Sequence, residues 1–206
     1  MPVIGLEAGR NPALVISEVQ NTITNPAYND SPLIRQAGAR GIIPKINTLA
    51  EGFRKAGMPV VHCTISARRV FAGWNDNCRL AHRILKERIN EDGTAAAAIH
   101  DDIVVGETDI VSARHHGMSP FTGTSLDATL RSFGIDTVVF AGVSTNIALP
   151  GGCTEAIGLG YQVVLAEDCT AGGTAESHQF QITMHLPLLA TITDSASILD
   201  APALKG

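Results

Sequence analysis

The sequence predicts an α/β protein, with three layers, α/β/α, built on a six-stranded, mostly parallel sheet. Strand-like and helix-like segments alternate along the whole chain, as parallel strands joined by crossover helices require. The strand-like segments are near-continuous apolar runs, the pattern of strands covered on both faces. At 206 residues, 45% hydrophobic and 17% charged, the chain can bury one full core, so residues 1–206 read as a single domain.

Each element has its own signal. Pro12 to Val19 is a short apolar run with a carboxylate, Glu18, near its end, and predicts the first strand. Gln20 to Asp30 is polar and predicts a loop. Leu33 to Ala56 predicts one helix, with Ile42, Ile46, Leu49 and Phe53 on one face and Gly57 as its stop. Met58 to Ile65 is the second strand. Ser66 to Asp92 is the least regular stretch, read as a loop followed by a basic helix over Leu80 to Ile89. Its length and the only tryptophan, Trp74, fit a lid or subunit contact as well as a solvated excursion. Asp109 to Arg114 is the third strand. Thr124 to Phe133 is a helix in which Thr124 and Asp127 resemble a capping pair. Asp136 to Ala141 is the fourth strand, Tyr161 to Ala166 the fifth and Leu189 to Thr193 the sixth, with a helix over Ala175 to Leu186 and an Ala- and Pro-containing tail.

Several functions lack support. A net charge of -5 and a pI near 5.8 do not suit nucleic acid or an anionic membrane. No apolar run approaches the ~18 residues of a membrane span. The N-terminal Met-Pro-Val-Ile-Gly-Leu-Glu lacks the pattern of a signal peptide, so a cytoplasmic location is expected. The four cysteines, Cys63, Cys78, Cys153 and Cys169, form no CxxC pair and are each expected to be buried apolar residues. Neither G-x-G-x-x-G after the first strand nor G-x-x-x-x-G-K-[ST] occurs. No cofactor is therefore called for.

The chain is organised around Phe140 to Gly160, F-A-G-V-S-T-N-I-A-L-P-G-G-C-T-E-A-I-G-L-G. It reads as a buried strand end, a tight polar turn and a helix of small residues, the junction where ligands bind in parallel α/β folds. Three other segments accompany it: Ala13 to Asn21 (A-L-V-I-S-E-V-Q-N), Ser119 to Asp127 (S-P-F-T-G-T-S-L-D) and Val164 to Asp168 (V-L-A-E-D). In order and spacing the four resemble the isochorismatase-like, or cysteine hydrolase, superfamily, with its D-x-Q-N, S-x-F-x-G-T-x-L-D, G-V-x-T-N-x-C and strand-final Asp.

The resemblance implies a catalytic Asp, Lys and Cys, with the thiol at a helix N-terminus attacking a carbonyl carbon. This sequence departs from the pattern at all three positions. Glu18 stands for the Asp. His115 falls at the Lys position, with Arg114 as the alternative if the register slips by one. Ala148 stands for the Cys, and its methyl group cannot attack a carbonyl. Cys153 lies five residues on, about 140° round the helix, and is expected to point elsewhere. The resemblance also implies a cis peptide between Val143 and Ser144 and a homo-oligomer, a dimer or tetramer.

Two functions compete. One is a hydrolase of a small-molecule amide, ester or vinyl ether that forms no covalent cysteine intermediate. Glu18 is then the general acid or base and His115 or Arg114 steadies charge. Ser144 and Thr145 lie in the turn, the amides of Ile147 and Ala148 hold an anionic group, and Phe71, Trp74 and Phe121 form an apolar wall. The other is a non-catalytic binding or assembly protein on the same fold. A zinc site has only His62 in its favour, without the D-x-H that some family amidases carry, so no metal is expected and His62 reads as a core residue.

Overall fold

The computed structural model describes residues 2–205. Its six strands are β1 (Pro12–Ser17), β2 (Val60–Ile65), β3 (Ile110–Arg114), β4 (Thr137–Val143), β5 (Gln162–Ala171) and β6 (Thr191–Thr193). They lie in the order β3-β2-β1-β4-β5-β6, and every neighbouring pair is parallel. The helices are α1 (Asn21–Thr24), α2 (Pro32–Arg40), α3 (Ile42–Lys55), α4 (Arg79–Glu87), α5 (Leu126–Ser132), α6 (Ala148–Gly158), α7 (Ala175–Phe180) and α8 (Ser195–Leu199). The expected three-layer α/β/α architecture is present.

Strand side chains alternate between two cores, because successive residues point to opposite faces. Leu14, Ile16, Val139 and Val164 pack with Ile42, Ile46, Leu49 and Phe53 of α3. Val15, Phe140 and Leu165 pack with Leu126 and Leu130 of α5 and Leu149 and Cys153 of α6. Central strands buried on both faces explain why the sequence shows apolar runs rather than alternation. Gly142 permits the closest approach: a Cβ there would lie 2.2 Å from the Ser17 carbonyl oxygen, where β4 and β1 run side by side.

The structure corrects several expectations. The helix over 33–56 is two helices, broken at Gly41, whose φ of 59° places it in the left-handed region that ends α2. The apolar periodicity continues through the break, so it gave no warning. Thr124 and Asp127 do not form a cap. Ser125 holds the N-cap position of α5, the Thr124 hydroxyl accepts the Leu126 N–H at 3.1 Å, and Asp127 accepts from the Tyr161 hydroxyl at 2.8 Å. The loop over 20–30 contains α1. The helix over 175–186 changes to a π-helical turn at Gln181 and a tight turn at Leu186. The tail contains α8, capped by Asp194, whose carboxylate accepts the Ser197 N–H at 2.7 Å. Cys78 is exposed, whereas Cys63, Cys153 and Cys169 are buried as expected.

Residues 68–90 leave the sheet and return to it. The base is closed by Ala67 N–H to Asn90 O at 2.8 Å and Asp92 N–H to Ala67 O at 2.7 Å. Inside, Phe71 meets Trp74 edge-on, the Arg88 guanidinium stacks 4.9 Å over Phe71, and the Trp74 indole N–H donates to Ala81 O at 3.0 Å. The excursion is thus packed on itself, with α4 as its helical part. No helix among the described residues is long and apolar enough to cross a membrane.

Candidate active site

The strand order reverses between β1 and β4: the chain runs from β1 outward to β2 and β3, then returns to β4 on the other side. Open α/β sheets place their ligand crevice beyond the carboxyl ends of strands at such a point. A cavity of about 840 Å³ opens there. Its floor includes Glu18 after β1, Ile65 at the end of β2, and Ser144, Asn146 and Ile147 after β4. Its wall is largely the 68–90 excursion, with Trp74, Cys78 and Ile84 among the lining residues.

Glu18 occupies a strained backbone position, φ 52°, that non-glycine residues seldom adopt. Its neighbours fix it. The Glu18 N–H donates to Cys63 O at 2.8 Å, and Gln20 N–H donates to Glu18 O at 3.0 Å. The buried Gln20 side chain then brackets Ile65, accepting its N–H at 2.8 Å and donating to its carbonyl at 3.0 Å. The kinked strand end turns the Glu18 carboxylate toward the crevice.

The partner of that carboxylate is Arg114, at the end of β3, through Nη2. His115 is elsewhere: its Nδ1 lies 3.1 Å from Ser66 O, and it does not line the cavity. The expectation that His115 pairs with Glu18 is therefore corrected in favour of its neighbour. The physical reason is that Arg114 is the last residue of β3 and shares the face of Ile65, its register partner, whereas His115 lies in the bend that follows the strand. The Arg114 side chain is 2% exposed and that of Glu18 16%. Burial pushes the Glu18 carboxyl up, while the charge and hydrogen bond of Arg114 pull it back without cancelling the effect. Arg114 Nε and Nη1 have no protein partner.

The turn after β4 is built differently. The Val143–Ser144 peptide is cis, as the resemblance implies. Ser144 faces the cavity, but Thr145 does not: it is fully buried and lies 3.2 Å from His178 Nδ1. His178 Nε2 lies 3.0 Å from Glu167 Oε1, and Arg40 Nη2 donates to the same oxygen at 2.6 Å. Burial lowers the His178 pKa, with Arg40 assisting and Glu167 opposing. Burial pushes Glu167 up, but its bonds to His178 and Arg40 prevail and hold it low. The turn is also tied by Thr145 N–H to Ala171 O at 3.0 Å and Gly173 N–H to Asn146 Oδ1 at 2.5 Å.

Other expected residues are repositioned. Ala148 starts α6, but it is 2% exposed and does not line the cavity. The Ile147 side chain reaches the cavity, while its amide donates to Ser144 O at 3.2 Å and is not free to hold an anion. Phe121 is not a wall residue; it is buried in the core and stacked on Tyr161, at 6.2 Å between ring centres. Phe71 is likewise buried, and Trp74 alone of the three aromatics lines the cavity. Cys153 is buried on the far side of α6, its thiol pushed up to about 12 by burial. His62 is a satisfied core residue, 2.8 Å from Asp109, which also takes two bonds from Arg54. Among the described residues no three His, Cys, Asp or Glu groups gather as metal ligands.

The sequence reading missed His178, Asn90 and His116. His178 lies in a segment read only as a helix, and nothing local links it to Thr145, 33 residues away. Asn90 has φ 65°, donates to Ile65 O and lines the cavity. His116 lines the cavity where its neighbour His115 does not, and both lie in the bend after β3, where the sequence carries no periodicity to tell them apart.

Comparison with known proteins places this architecture. The isochorismatase domain model matches residues 12–197. An uncharacterized isochorismatase family protein, YecD, of Escherichia coli O157:H7 is 30% identical over 165 residues, covering 78% of this chain and 82% of its own. A probable inactive nicotinamidase of Arabidopsis thaliana is 26% identical, covering 85% and 88%. The ureidoacrylate amidohydrolase RutB of Agrobacterium fabrum is 29% identical, covering 77% and 75%. The crystal structure of an isochorismatase family protein from Desulfovibrio vulgaris superposes with a TM-score of 0.80 at 25% identity, over 93% of this chain and 98% of that one. With the family model spanning nearly the whole chain, this protein belongs to the isochorismatase family.

Proposed function

We propose that this isochorismatase-family, hydrolase-like protein cleaves a small-molecule amide, ester or vinyl ether without a covalent cysteine intermediate. The observation that carries the reading is the Glu18 carboxylate: buried, held above its ordinary pKa range by that burial, paired with Arg114 and open to the cavity. A carboxyl so placed is suited to move a proton in either direction. For an amide, Glu18 takes a proton from water as the water oxygen attacks the carbonyl carbon. Arg114, through its bond to Glu18, steadies the charge that shifts during the step. Collapse breaks the C–N bond, and the leaving nitrogen takes the proton back from Glu18. For a vinyl ether, the protonated carboxyl delivers its proton to the enol carbon, water adds to the resulting oxocarbenium carbon and gives a proton back to Glu18, and collapse of the hemiketal breaks the C–O bond to release an alcohol and a carbonyl compound.

The similarity to ureidoacrylate amidohydrolase supports hydrolysis at an amide-type bond. The similarity to a probable inactive nicotinamidase, together with the buried methyl of Ala148, favours the second reading, a non-catalytic binding protein. A cytoplasmic location belongs to the same proposal, as does a homo-oligomer. The exposed side chains of Phe180, Met184 and Leu188, four residues apart along α7 and its extension, support self-association.

The test is turnover of an amide and ester panel by the wild type, E18Q and C78S. Cys78 is the cysteine that lines the cavity. Activity that survives C78S and is lost in E18Q supports the proposal. Activity lost in C78S overturns the non-covalent mechanism, and no turnover of any compound leaves the binding protein.

A further inference from the structure

The 68–90 excursion that walls the cavity differs in charge from the rest of the chain. It carries six cations, Arg68, Arg69, Arg79, Arg83, Lys86 and Arg88, against two carboxylates, Asp76 and Glu87, a balance of +4. The whole chain has a net charge of -5, so the remaining residues stand at -9. All six cations are exposed, and among the described residues only Arg83 of the six has an ion-pair partner. Asp76 is taken by His82. The carboxylates that follow, Glu91 and Asp92, belong to the base of the excursion, where they accept the Val70 N–H at 2.7 Å and the Ser66 hydroxyl at 3.2 Å. Arg79 and Arg83 are four residues apart on α4, a spacing at which like charges repel. A basic patch that costs stability, on an otherwise acidic protein and beside a cavity, is explained by an anion that it receives.

Arg83 carries this charge into the cavity. Leu80, Ala81 and Ile84 of α4 line it with apolar side chains, and Arg83 lines it with them. Among the described residues it is the one guanidinium or ammonium in the lining, with the imidazole of His116 also present. Its Nε donates to both carboxylate oxygens of Glu87, at 3.1 and 3.0 Å, in an exposed pair that solvent screens. Its Nη1 and Nη2 make no hydrogen bond to a described residue. These two nitrogens form the outer edge of the fork, an edge that grips a carboxylate with two parallel bonds.

The floor offers an anion nothing comparable. Glu18 is the carboxylate there, and a second carboxylate beside it would be repelled. Arg114 does not line the cavity, and its two unpartnered nitrogens are buried out of a ligand's reach. The rest of the lining is largely apolar, from residues such as Leu33, Ile65 and Met118. The cavity, about 840 Å³, has room for an extended ligand, and one of only a few heavy atoms would leave most of that apolar surface uncovered.

We propose that Arg83 determines specificity: its Nη1–Nη2 edge receives the carboxylate of an extended amphiphilic monoanion, whose apolar body fills the cavity and whose uncharged end lies at Glu18. Arg79 and Lys86, about one turn to either side of Arg83 on α4, raise the positive potential that draws the anion in. This names the ligand class of the site proposed above and rests on that reading for the bond cleaved at Glu18, but not for binding.

Titration calorimetry of the full chain tests it with three probes: suberamate, which has an amide at one end and a carboxylate at the other, its neutral counterpart suberamide, and the short acid succinamate. Suberamate is expected to bind about tenfold or more tightly than either of the others. R83M should bring suberamate down to the affinity of suberamide and leave suberamide unchanged, while R83K keeps part of the preference. R10M removes the same charge just before β1, at the opposite end of the sheet, and should change neither. Raising NaCl from about 20 to about 300 mM should weaken suberamate and not suberamide. Equal or tighter binding of suberamide or succinamate overturns the proposal, as does no binding of any probe. So does suberamate affinity unchanged in R83M, an equal loss in R10M, or an R83M loss shared by suberamide. Suberamate that binds through Arg83 but is never hydrolysed leaves the proposal standing and removes the hydrolase reading. Hydrolysis of suberamide as fast as suberamate, unaffected by R83M, does the reverse.

Discussion

The two corners of the site floor hold their polar groups in opposite ways. At the ends of β1 and β3, one carboxylate meets one guanidinium, and two buried Arg114 nitrogens have no protein partner. At the end of β4, the turn is tied through Thr145 to His178, from His178 to Glu167, and from Glu167 to Arg40, with Asn146 tied to Gly173. The first corner has bonding capacity to spare, and its Glu18 lines the cavity. The second is saturated, and its hydroxyl and imidazole point into the protein. A group that must exchange protons with a ligand cannot have all its bonds committed, so the proposed mechanism assigns the chemistry to the first corner and the shape to the second.

Substitution at each corner should separate these roles. The largest effect is expected from E18Q, which keeps the size and removes the proton-transfer group: kcat/KM should fall by roughly 10²- to 10⁴-fold. Thermal stability should fall less than in R114M, because Gln can still accept from Arg114. H178A should instead reduce kcat/KM and stability together, since it releases the turn. A comparison of the two variants by kinetics and melting is decisive: if H178A abolishes turnover at full stability, the division between corners is wrong.

Next in size is R114M. Removing one member of a buried ion pair leaves the other uncompensated, at a cost of about 3–5 kcal/mol. Part of this is relieved if Glu18 takes up a proton. Urea unfolding at pH 5 and pH 8 measures it, with the larger loss expected at pH 8, where the lone carboxylate must ionise. An equal loss at both values means that Glu18 does not carry the charge assigned to it.

The difference between the corners also explains what could be read from the sequence. The six strands and the place of the site followed from apolar runs and from the segments ending at Glu18, Arg114 and Ser144, because strand burial and strand-end chemistry are local in sequence. The break at Gly41 was invisible because both helices put apolar residues on the same side of the sheet. Phe121 was misread because an aromatic beside a site-like loop carries no sign of facing inward, and here it stacks on Tyr161. The sequence narrows the partner of Glu18 to two adjacent residues, and the end of β3 at Arg114 settles it, since His115 lies in the following bend. The saturated corner left the least trace, since Thr145, Glu167 and His178 come from three separate segments that only the fold brings together.

The smallest expected effect concerns pH and sharpens the charge assignment at the first corner. Burial raises the Glu18 carboxyl above its ordinary value of 4.5 against the pull of Arg114. The folded protein therefore holds this proton to higher pH than the unfolded chain, so the folded state binds more protons across that interval. Stability from this group is fully present below about pH 4.5 and is lost as pH rises through the folded value. Wild-type unfolding free energy should decline over this window by more than that of E18Q, in which the titrating group is gone. If Glu18 acts as the base, the activity of the wild type should rise through the same window as the carboxyl ionises, while its stability falls. A rate that rises with the pKa of a free carboxylate, with no stability difference from E18Q, would show that burial does not tune Glu18 and that the open corner is solvated rather than poised.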